Sequence, residues 1–180
     1  MSYLNNISDE ELRKGIMRFL ETAPDIYMPA VTIDTVIFGF HNDKLKVLLL
    51  RFGHSTHFVL PGGYIKKEEN LDDAALRILQ ERTGLQNIYL EQFYTSGNSN
   101  RANETATKEI IEKILGSIPR INWFEQRFIS VCYYALVDDT KVNPQPEPFF
   151  TEFKWFDVTR VPKLLFDQSY YQKSNYPFTG

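Results

Sequence analysis

The segment LPGGYIKKEENLDDAALRILQERTGL, residues 60–85, decides the fold of this 180-residue chain. Its second half predicts a helix, because Asn70 is a good N-cap, acidic residues follow in the first turn, and Gly84 suits the C-terminal cap. The apolar residues of this helix fall on one arc at about 100° per residue: Leu71, Ala74, Ala75, Ile78 and Leu79. The Pro-Gly-Gly sequence at 61–63 is either an ordinary turn or a loop whose backbone approaches a ligand phosphate closely. The segment therefore predicts a strand, a loop and a helix in that order.

The composition is that of a globular protein without an excess of basic residues. Hydrophobic residues make up 43% and aromatic residues 14% of the chain, and the formal net charge is −3. We therefore expect neither nucleic acid nor an anionic membrane among its partners. The single cysteine, Cys132, excludes an intrachain disulfide, and the first residues lack the pattern of a signal peptide. With no run of about 18 apolar residues either, these features favour a cytoplasmic location.

The rest of the chain alternates hairpin-like strands with helices. Ser8 and Glu11 form a capping box at the start of an N-terminal helix, which we expect to end at Pro24. β-branched and aromatic runs predict strands at 31–40, 45–52, 88–97, 127–137 and 150–158, the first two joined as a hairpin. Helical spacing predicts further helices within 98–126 and at 161–168. This order is typical of a mixed α+β sandwich.

The spacing of the opening segment resembles the Nudix box. The residues that match it are Gly63, Glu69, Arg77, Leu79, Glu81, Gly84 and Leu85. The resemblance implies the α+β Nudix fold, a mixed β-sheet sandwich flanked by helices, here with an added N-terminal helix and a helical insertion at about 98–126. The chain then divides into an N-terminal helical extension (1–29), a Nudix domain (30–168) and a C-terminal tail (169–180).

The box itself departs from the pattern at two acid positions. Glutamates at i, i+3 and i+4 share one helix face and can gather Mg²⁺ or Mn²⁺, which neutralise a diphosphate and activate water. In this chain those positions hold Ile78, Glu81 and Arg82. Ile78 suits core packing, and Arg82 suits a salt bridge with Glu81 or a phosphate contact. The box is therefore interpreted as degenerate, which predicts ligand binding with little or no hydrolysis and leaves enzyme activity open.

The alternative is an active Mg-dependent Nudix hydrolase of nucleoside diphosphate derivatives that recruits acids from outside the box. Its catalytic and metal-binding residues would be Glu69 and Glu81. Further acids that could assist are Glu68, Glu104, Glu109, Glu112 and Glu125. Mg or Mn is expected as a cofactor only in this case, and binding alone requires none.

A closer resemblance runs over residues 31–168, to the Nudix-related transcriptional regulators (NrtR-like). It is carried by Tyr-Leu-Glu-Gln at 89–92, by Thr95 and Gly97, and by Phe-Asp-Gln at 166–168. The resemblance implies a sensor of ADP-ribose or a sugar that forms a homodimer, and the apolar stripe of the N-terminal helix is a candidate for part of the dimer interface.

This chain departs from those regulators in three ways. Gln168 replaces their histidine, and an insertion of roughly twenty residues separates Arg101 from Arg127. The C-terminal winged helix of the regulators is missing, so we expect this chain itself to bind no DNA, as a stand-alone sensor or as a piece of a longer regulator.

The predicted ligand-binding residues combine the glycine loop with arginines whose guanidinium groups match phosphate geometry. They are Arg51, Gly62, Gly63, Arg77, Arg82, Tyr94, Arg101 and Arg127. Glu69 is expected to orient Arg77, and Glu81 to retain at most a weakly held Mg²⁺. For each arginine alone, a surface salt bridge is the alternative interpretation.

Overall fold

The computed structural model describes residues 2–4, 7–41, 44–99, 109–110, 112–113, 127–144, 149–166 and 168. The strands are β1 (Ser2–Leu4), β2 (Tyr27–His41), β3 (Lys44–Phe52), β4 (Phe58–Val59), β5 (Gly62–Lys66), β6 (Glu91–Ser96), β7 (Ile129–Val137) and β8 (Phe150–Asp157). The helices are α1 (Asp9–Ile26), α2 (Leu71–Thr83) and a short 3-10 helix at Asp139–Lys141. None of the helices in this part of the chain is long and apolar enough to cross a membrane.

Strand β2 organises the sheet. Within the described residues, eight strands join in the order β1-β8-β3-β2-β7-β6, with β4 paired to β3 and β5 paired to β2. β2 runs antiparallel to β3 at one end and to β5 at the other, and parallel to β7 over Val31–Gly39. The predicted hairpin between β2 and β3 is confirmed. The mixed sheet with two long helices confirms the predicted α+β class.

Alternation along β2 gives the sheet two buried faces. Ile33 and Ile37 lie on the face covered by α1 and α2, whereas Val36 and Phe38 pack on the opposite face. That opposite face is covered by residues of and beside β4, such as Phe58, and by a segment near the end of the described chain. The strand is therefore apolar on both sides, and an acid within it is conspicuous.

Helix α1 begins as predicted and ends later than predicted. Ser8 and Glu11 form both halves of the capping box. Pro24 does not end the helix but lies in its last turn, which the Tyr27 amide closes onto the carbonyl of Ala23. A proline there removes only one hydrogen bond. The apolar stripe of α1, Leu12, Ile16, Leu20 and Ala23, is buried in the chain's own core, so it is not free to form the dimer interface considered above.

The predicted helix at 161–168 is wrong, because the described residues 161–166 and 168 form no helix. Leu164 instead makes a parallel bridge to Phe58, and the Leu165 amide donates to the Phe58 carbonyl at 3.0 Å. Phe166 has φ +57°, a left-handed conformation that interrupts a right-handed helix. The segment is held by β4 and by one turn of its own, in which the Gln168 amide donates to the Leu165 carbonyl.

The glycine loop also differs from the expectation. Gly62 and Gly63 are not in a loop at the helix start but are the first residues of β5, paired with Asp34 and Ile33 of β2. Other predictions lie outside the described residues: Arg101, the tail 169–180 and most of the insertion at 98–126. Of that insertion, residues 109–110 and 112–113 are helical.

Candidate functional site

Helix α2 starts and stops as its sequence predicts. Asn70 is the N-cap in the extended conformation, although its side chain donates to Asp73 at 3.0 Å and does not accept from a helix amide. Gly84 ends the helix with φ +73°, the left-handed conformation that favours glycine. Ala74, Ala75, Ile78 and Leu79 are buried under the sheet, as their spacing predicts. The helix therefore presents its remaining polar residues towards β5 and the solvent.

Arg77 connects β5, helix α2 and the loop between them at residues 67–70. Its guanidinium donates to both carboxylate oxygens of Glu69, each at 2.7 Å, and to the Tyr64 carbonyl at 2.8 Å. It also contacts both oxygens of Glu81 at 3.1 Å. The hydrogen bonds from Arg77 hold the pKa of Glu69 below its usual value, and the same pairing raises the pKa of Arg77. Glu69 thus orients Arg77 and fixes where the loop meets the helix.

The two positions where the box departs from its pattern are both buried. Ile78 is fully buried and packs with Ile33, Ile65 and Val131. Arg82 is only 6% exposed, and its guanidinium donates to the Gly62 carbonyl at 2.8 and 3.0 Å. It lies over the Phe150 ring, 5.7 Å from the centroid.

Burial lowers the pKa of Arg82 but does not neutralise the side chain. Desolvation lowers the pKa of Arg82 to about 10, against which Glu81 acts as a nearby opposite charge. The group therefore stays protonated at neutral pH. A guanidinium with two bonds to the Gly62 carbonyl holds β5 against α2, where the pattern would place a carboxylate.

The paired glycines have a packing reason to be glycine. A Cβ on Gly62 would lie 2.6 Å from the Ile33 carbonyl oxygen and 2.9 Å from a carboxylate oxygen of Asp34. A Cβ on Gly63 would lie 3.0 Å from Ile78, the residue that replaces the first acid. β5 can therefore lie this close to β2 and α2 only without side chains at these positions.

A second group of predicted residues lies at the junction of β6 and β7. Arg127 is exposed and donates to the Gly97 carbonyl at 2.6 Å. Tyr94, on β6, is 38% exposed. The ring of Phe128 lies 5.8 Å from the ring of Tyr64, so this junction borders β5 and the Arg77 network. Tyr94 itself pairs with Cys132 of β7, a residue of the cluster on the face opposite the helices, so it does not lie beside α2.

Arg51 lies elsewhere. Its guanidinium pairs with the buried carboxylate of Glu152 at 2.6 Å, donates to the Ser55 carbonyl at 3.0 Å, and lies 4.6 Å above the Phe58 ring. Phe58 belongs to the face opposite the helices, so Arg51 is not next to α2. Its contacts match the salt-bridge alternative.

One polar group was not predicted as part of the site. Asp34 is 4% exposed, and its carboxylate accepts from the side-chain amide of Gln168 at 2.9 Å. The other end of Gln168 accepts from the Leu60 amide at 2.7 Å. The available signals were an acid inside the apolar run of β2 and the histidine position taken by Gln168, but nothing in the sequence joins them.

The two carboxylates predicted as possible metal ligands are both engaged by Arg77. Glu69 and Glu81 both accept from Arg77, so a cation at either would compete with a guanidinium. Within the part of the chain that the structure describes, no three His, Cys, Asp or Glu side chains group closely enough to hold a metal ion.

The chain resembles known proteins in sequence and in structure. The sequence model of the NUDIX domain matches residues 28–174. The chain is 34% identical to the ADPR responsive transcriptional repressor NtrR of Acinetobacter baylyi over 82 residues. The matched stretch covers 43% of this chain and 33% of the repressor. The chain thus spans about a third of that repressor's length.

A second relative is an enzyme, and a solved structure contains a ligand. The RNA pyrophosphohydrolase of Bartonella henselae is 31% identical over 128 residues, 67% of this chain and 69% of that protein. The NUDIX domain of Shewanella oneidensis NrtR, solved in complex with ADP ribose, superposes with a TM-score of 0.57 at 26% identity, over 87% of this chain and 94% of that one.

Proposed function

The chain belongs to the NUDIX domain family, and from that membership we propose that it is a sensor domain that binds a nucleotide-derived ligand of the ADP-ribose type, or a sugar, with little or no hydrolysis. Binding in this proposal requires no metal ion. A homodimer, which rests on the resemblance to the regulators, and a cytoplasmic location, which rests on the single cysteine, are parts of the same proposal.

The burial of Ile78 and Arg82 is the observation that carries this proposal. Metal-dependent hydrolysis needs carboxylates that project from α2 towards a diphosphate. At these two positions the side chains instead pack under Gly63 and bond to the Gly62 carbonyl. A box helix that holds β5 in this way keeps the shape of a ligand site without its metal chemistry.

The ligand class is supported by the charges along the surface and by the relatives. A diphosphate carries negative charge, and guanidinium groups match its oxygens in pairs. We assign this contact to Arg127 and Arg77, with Gly62, Gly63 and Arg82 forming the wall behind them, and Tyr94 stays a candidate from the sequence for contact with a base or sugar ring. Arg101 remains a candidate from the sequence. A relative named for its response to ADPR and a structure complexed with ADP ribose support the same ligand.

Hydrolysis is the second candidate function, and two observations favour it. The chain is similar to an RNA pyrophosphohydrolase over two thirds of its length. The side chain of Glu81 is 42% exposed and accepts from Arg77 only at 3.1 Å. An ion that displaced Arg77 from Glu81 would leave Glu69 to hold the guanidinium.

A thermal-shift experiment with product analysis separates the two functions. The chain is heated with ADP-ribose, arabinose or a nucleoside triphosphate, each with Mg²⁺ and with EDTA, and the nucleotides are then separated by chromatography. At 100 times its Kd a ligand that binds only the folded state adds about 2.7 kcal/mol, a rise in Tm of roughly 5–10 °C. We expect ADP-ribose to give this rise in EDTA and to be recovered intact.

Matched variants locate the binding surface. Arg127→Ala should raise the Kd for ADP-ribose, obtained from the dependence of Tm on ligand concentration, about tenfold, since it removes a charge-assisted contact. Arg160→Ala, which removes an exposed arginine beyond β8, should leave the response unchanged. If no compound shifts the Tm, the sensor proposal fails. If AMP appears only with Mg²⁺ and is lost in Glu81→Gln, the chain is a hydrolase.

A further inference from the structure

The buried amide of Gln168 bridges two parts of the chain that are far apart in sequence. Its Nε2 group donates to Asp34 of β2 at 2.9 Å, and its Oε1 atom accepts from the Leu60 amide at 2.7 Å. Gln168 is 3% exposed and Asp34 is 4% exposed, so water does not compete freely for either bond. The amide nitrogen of Gln168 therefore acts as a donor and its amide oxygen as an acceptor.

The bridge ends at the residues that lead into the glycines. Leu60 stands two residues before Gly62, whose Cα lies so close to Asp34 that a Cβ would be 2.9 Å from the carboxylate oxygen bonded by Gln168. Between them, the Pro61 carbonyl accepts from the Thr35 amide at 2.7 Å and from the Thr35 hydroxyl at 2.8 Å. From the opposite side, Arg82 holds the Gly62 carbonyl.

The backbone around Gln168 is arranged to deliver this side chain. Leu164 and Leu165 are anchored to Phe58, and the Gln168 amide closes a turn onto the Leu165 carbonyl at 3.2 Å. Within that turn Phe166 adopts φ +57°, which is unfavourable for a bulky residue and persists where the surroundings enforce it.

We propose that Gln168 is a positioning residue for the ligand site, and that its bridge between Asp34 and the Leu60 amide sets the path of residues 60–63. The bridge acts through residues 60–63, because Gln168 is buried and bonds to Asp34 and Leu60 rather than to Arg77 or Arg127. Its effect on ligand affinity rests on the proposed function, whereas its effect on the loop backbone does not.

An exchange of the two polar groups tests the bridge directly. Gln168→Glu places two carboxylates against each other, whereas Asp34→Asn with Gln168→Glu restores the pattern: the asparagine amide donates to one glutamate oxygen, and the Leu60 amide donates to the other. The readouts are hydrogen exchange of the Leu60 amide and affinity for ADP-ribose as the probe. In Gln168→Glu at pH 8 we expect the Leu60 amide to exchange about tenfold faster and the Kd for ADP-ribose to rise about tenfold. The double variant should recover at least half of each loss.

The single variant also predicts a pH profile that the wild-type chain lacks. The charges named at the bridge are the two carboxylates and, beyond Gly62, Arg82. Two facing carboxylates share a proton, so the pKa of the pair rises and Gln168→Glu recovers as the pH falls towards 5. Thr151→Val, which removes a buried hydroxyl bonded to the Gly53 carbonyl, is the control for general loss of stability.

The outcomes are distinct. Failure of the double variant to recover Leu60 protection, or the same loss of protection in Thr151→Val, overturns the proposal. Protection that follows the expected pattern while ADP-ribose binds to no variant, including wild type, retains the bridge and refutes the proposed function. Protection that follows the pattern while affinity stays constant in all variants refutes the positioning role.

Discussion

Arg77 is the residue that shows how the box serves the fold. It joins Glu69 before the helix, the Tyr64 carbonyl in β5 and Glu81 one turn along α2. Its side chain is only 21% exposed, so these contacts are partly shielded from solvent. Charge-assisted bonds with this shielding contribute more than surface ion pairs do. The residue matters to stability whether or not a ligand binds.

Arg77→Met should lower the free energy of unfolding by about 2–3 kcal/mol at pH 7, measured by urea denaturation. Arg77 lowers the pKa of Glu69 below its ordinary value of 4.5, so the stabilisation by this pair is fully present above pH 4.5 and is lost as the pH falls through the folded-state pKa. The difference between wild type and Arg77→Met should therefore shrink below about pH 4.5.

Arg77→Lys is the matched control for charge without the planar fork, and it should lie between wild type and Arg77→Met. A difference that stayed constant from pH 7 to pH 3 would show that the pairing with Glu69 is not the source of the effect.

The sequence predicted the pairing of Glu69 with Arg77, but it predicted neither the contact of Arg77 with Glu81 nor the bridge at Gln168. Glu69, Arg77 and Glu81 lie within one loop and helix, so their mutual reach follows from helical geometry. Asp34 and Gln168 are 134 positions apart, and only the packing of β4 against the last described segment brings them together. Sequence patterns of local period carry no information on such a pair.

At the scale of elements, α2 is fitted to β5 so closely that the missing acids cannot simply be restored. Ile78 lies beneath Gly63 in an apolar cluster, and a carboxylate there would lose its hydration. The nearby cation, Arg82, already bonds to the Gly62 carbonyl, so pairing with it would not fully offset the desolvation. We expect Ile78→Glu to cost at least about 3 kcal/mol in urea unfolding, and excess Mg²⁺ not to recover it.

Ile78→Val, which keeps the apolar contact, should cost only about 0.5–1.5 kcal/mol. A mild effect of Ile78→Glu, or stabilisation of that variant by Mg²⁺, would mean that this part of α2 opens to solvent and ions.

Elements with strong local signals were predicted, and elements fixed by neighbours were not. Both ends of α2 and the start of α1 follow from caps and apolar spacing. β5 begins with two glycines, which are depleted in strands, and β4 has only two residues, too few to show a pattern. The segment at 161–168 has helical spacing, but bonds to Phe58 override it.

At the scale of the whole molecule, α1 shares a core with the strands of the sheet. Leu12, which is 1% exposed, packs in the same cluster as Leu48 of β3 and Phe153 of β8. Leu12→Ala should therefore cost about 2–5 kcal/mol, as Leu48→Ala should, and both variants should unfold in a single transition.

Leu76→Ala removes a leucine that is 46% exposed on α2, and it should cost much less than either core substitution. Circular dichroism and tryptophan fluorescence, followed in the same denaturation, should give one midpoint. Two separate midpoints in the wild-type chain would mean that α1 folds independently of the sheet.

The parallel pairing of β2 with β7 has a consequence for how the chain is made. Thr32 and Ser130, hydrogen-bonded neighbours across this pair, are 98 positions apart. At the 5–20 residues per second of protein synthesis, β2 leaves the ribosome roughly 5–20 s before its partner. β3 and β5 arrive earlier and pair along the other edge of β2. Until β7 follows, the nascent chain exposes the unpaired edge of β2, and the edge of β3 that pairs with β8 stays open longer still. At this stage, association with another nascent chain competes with folding.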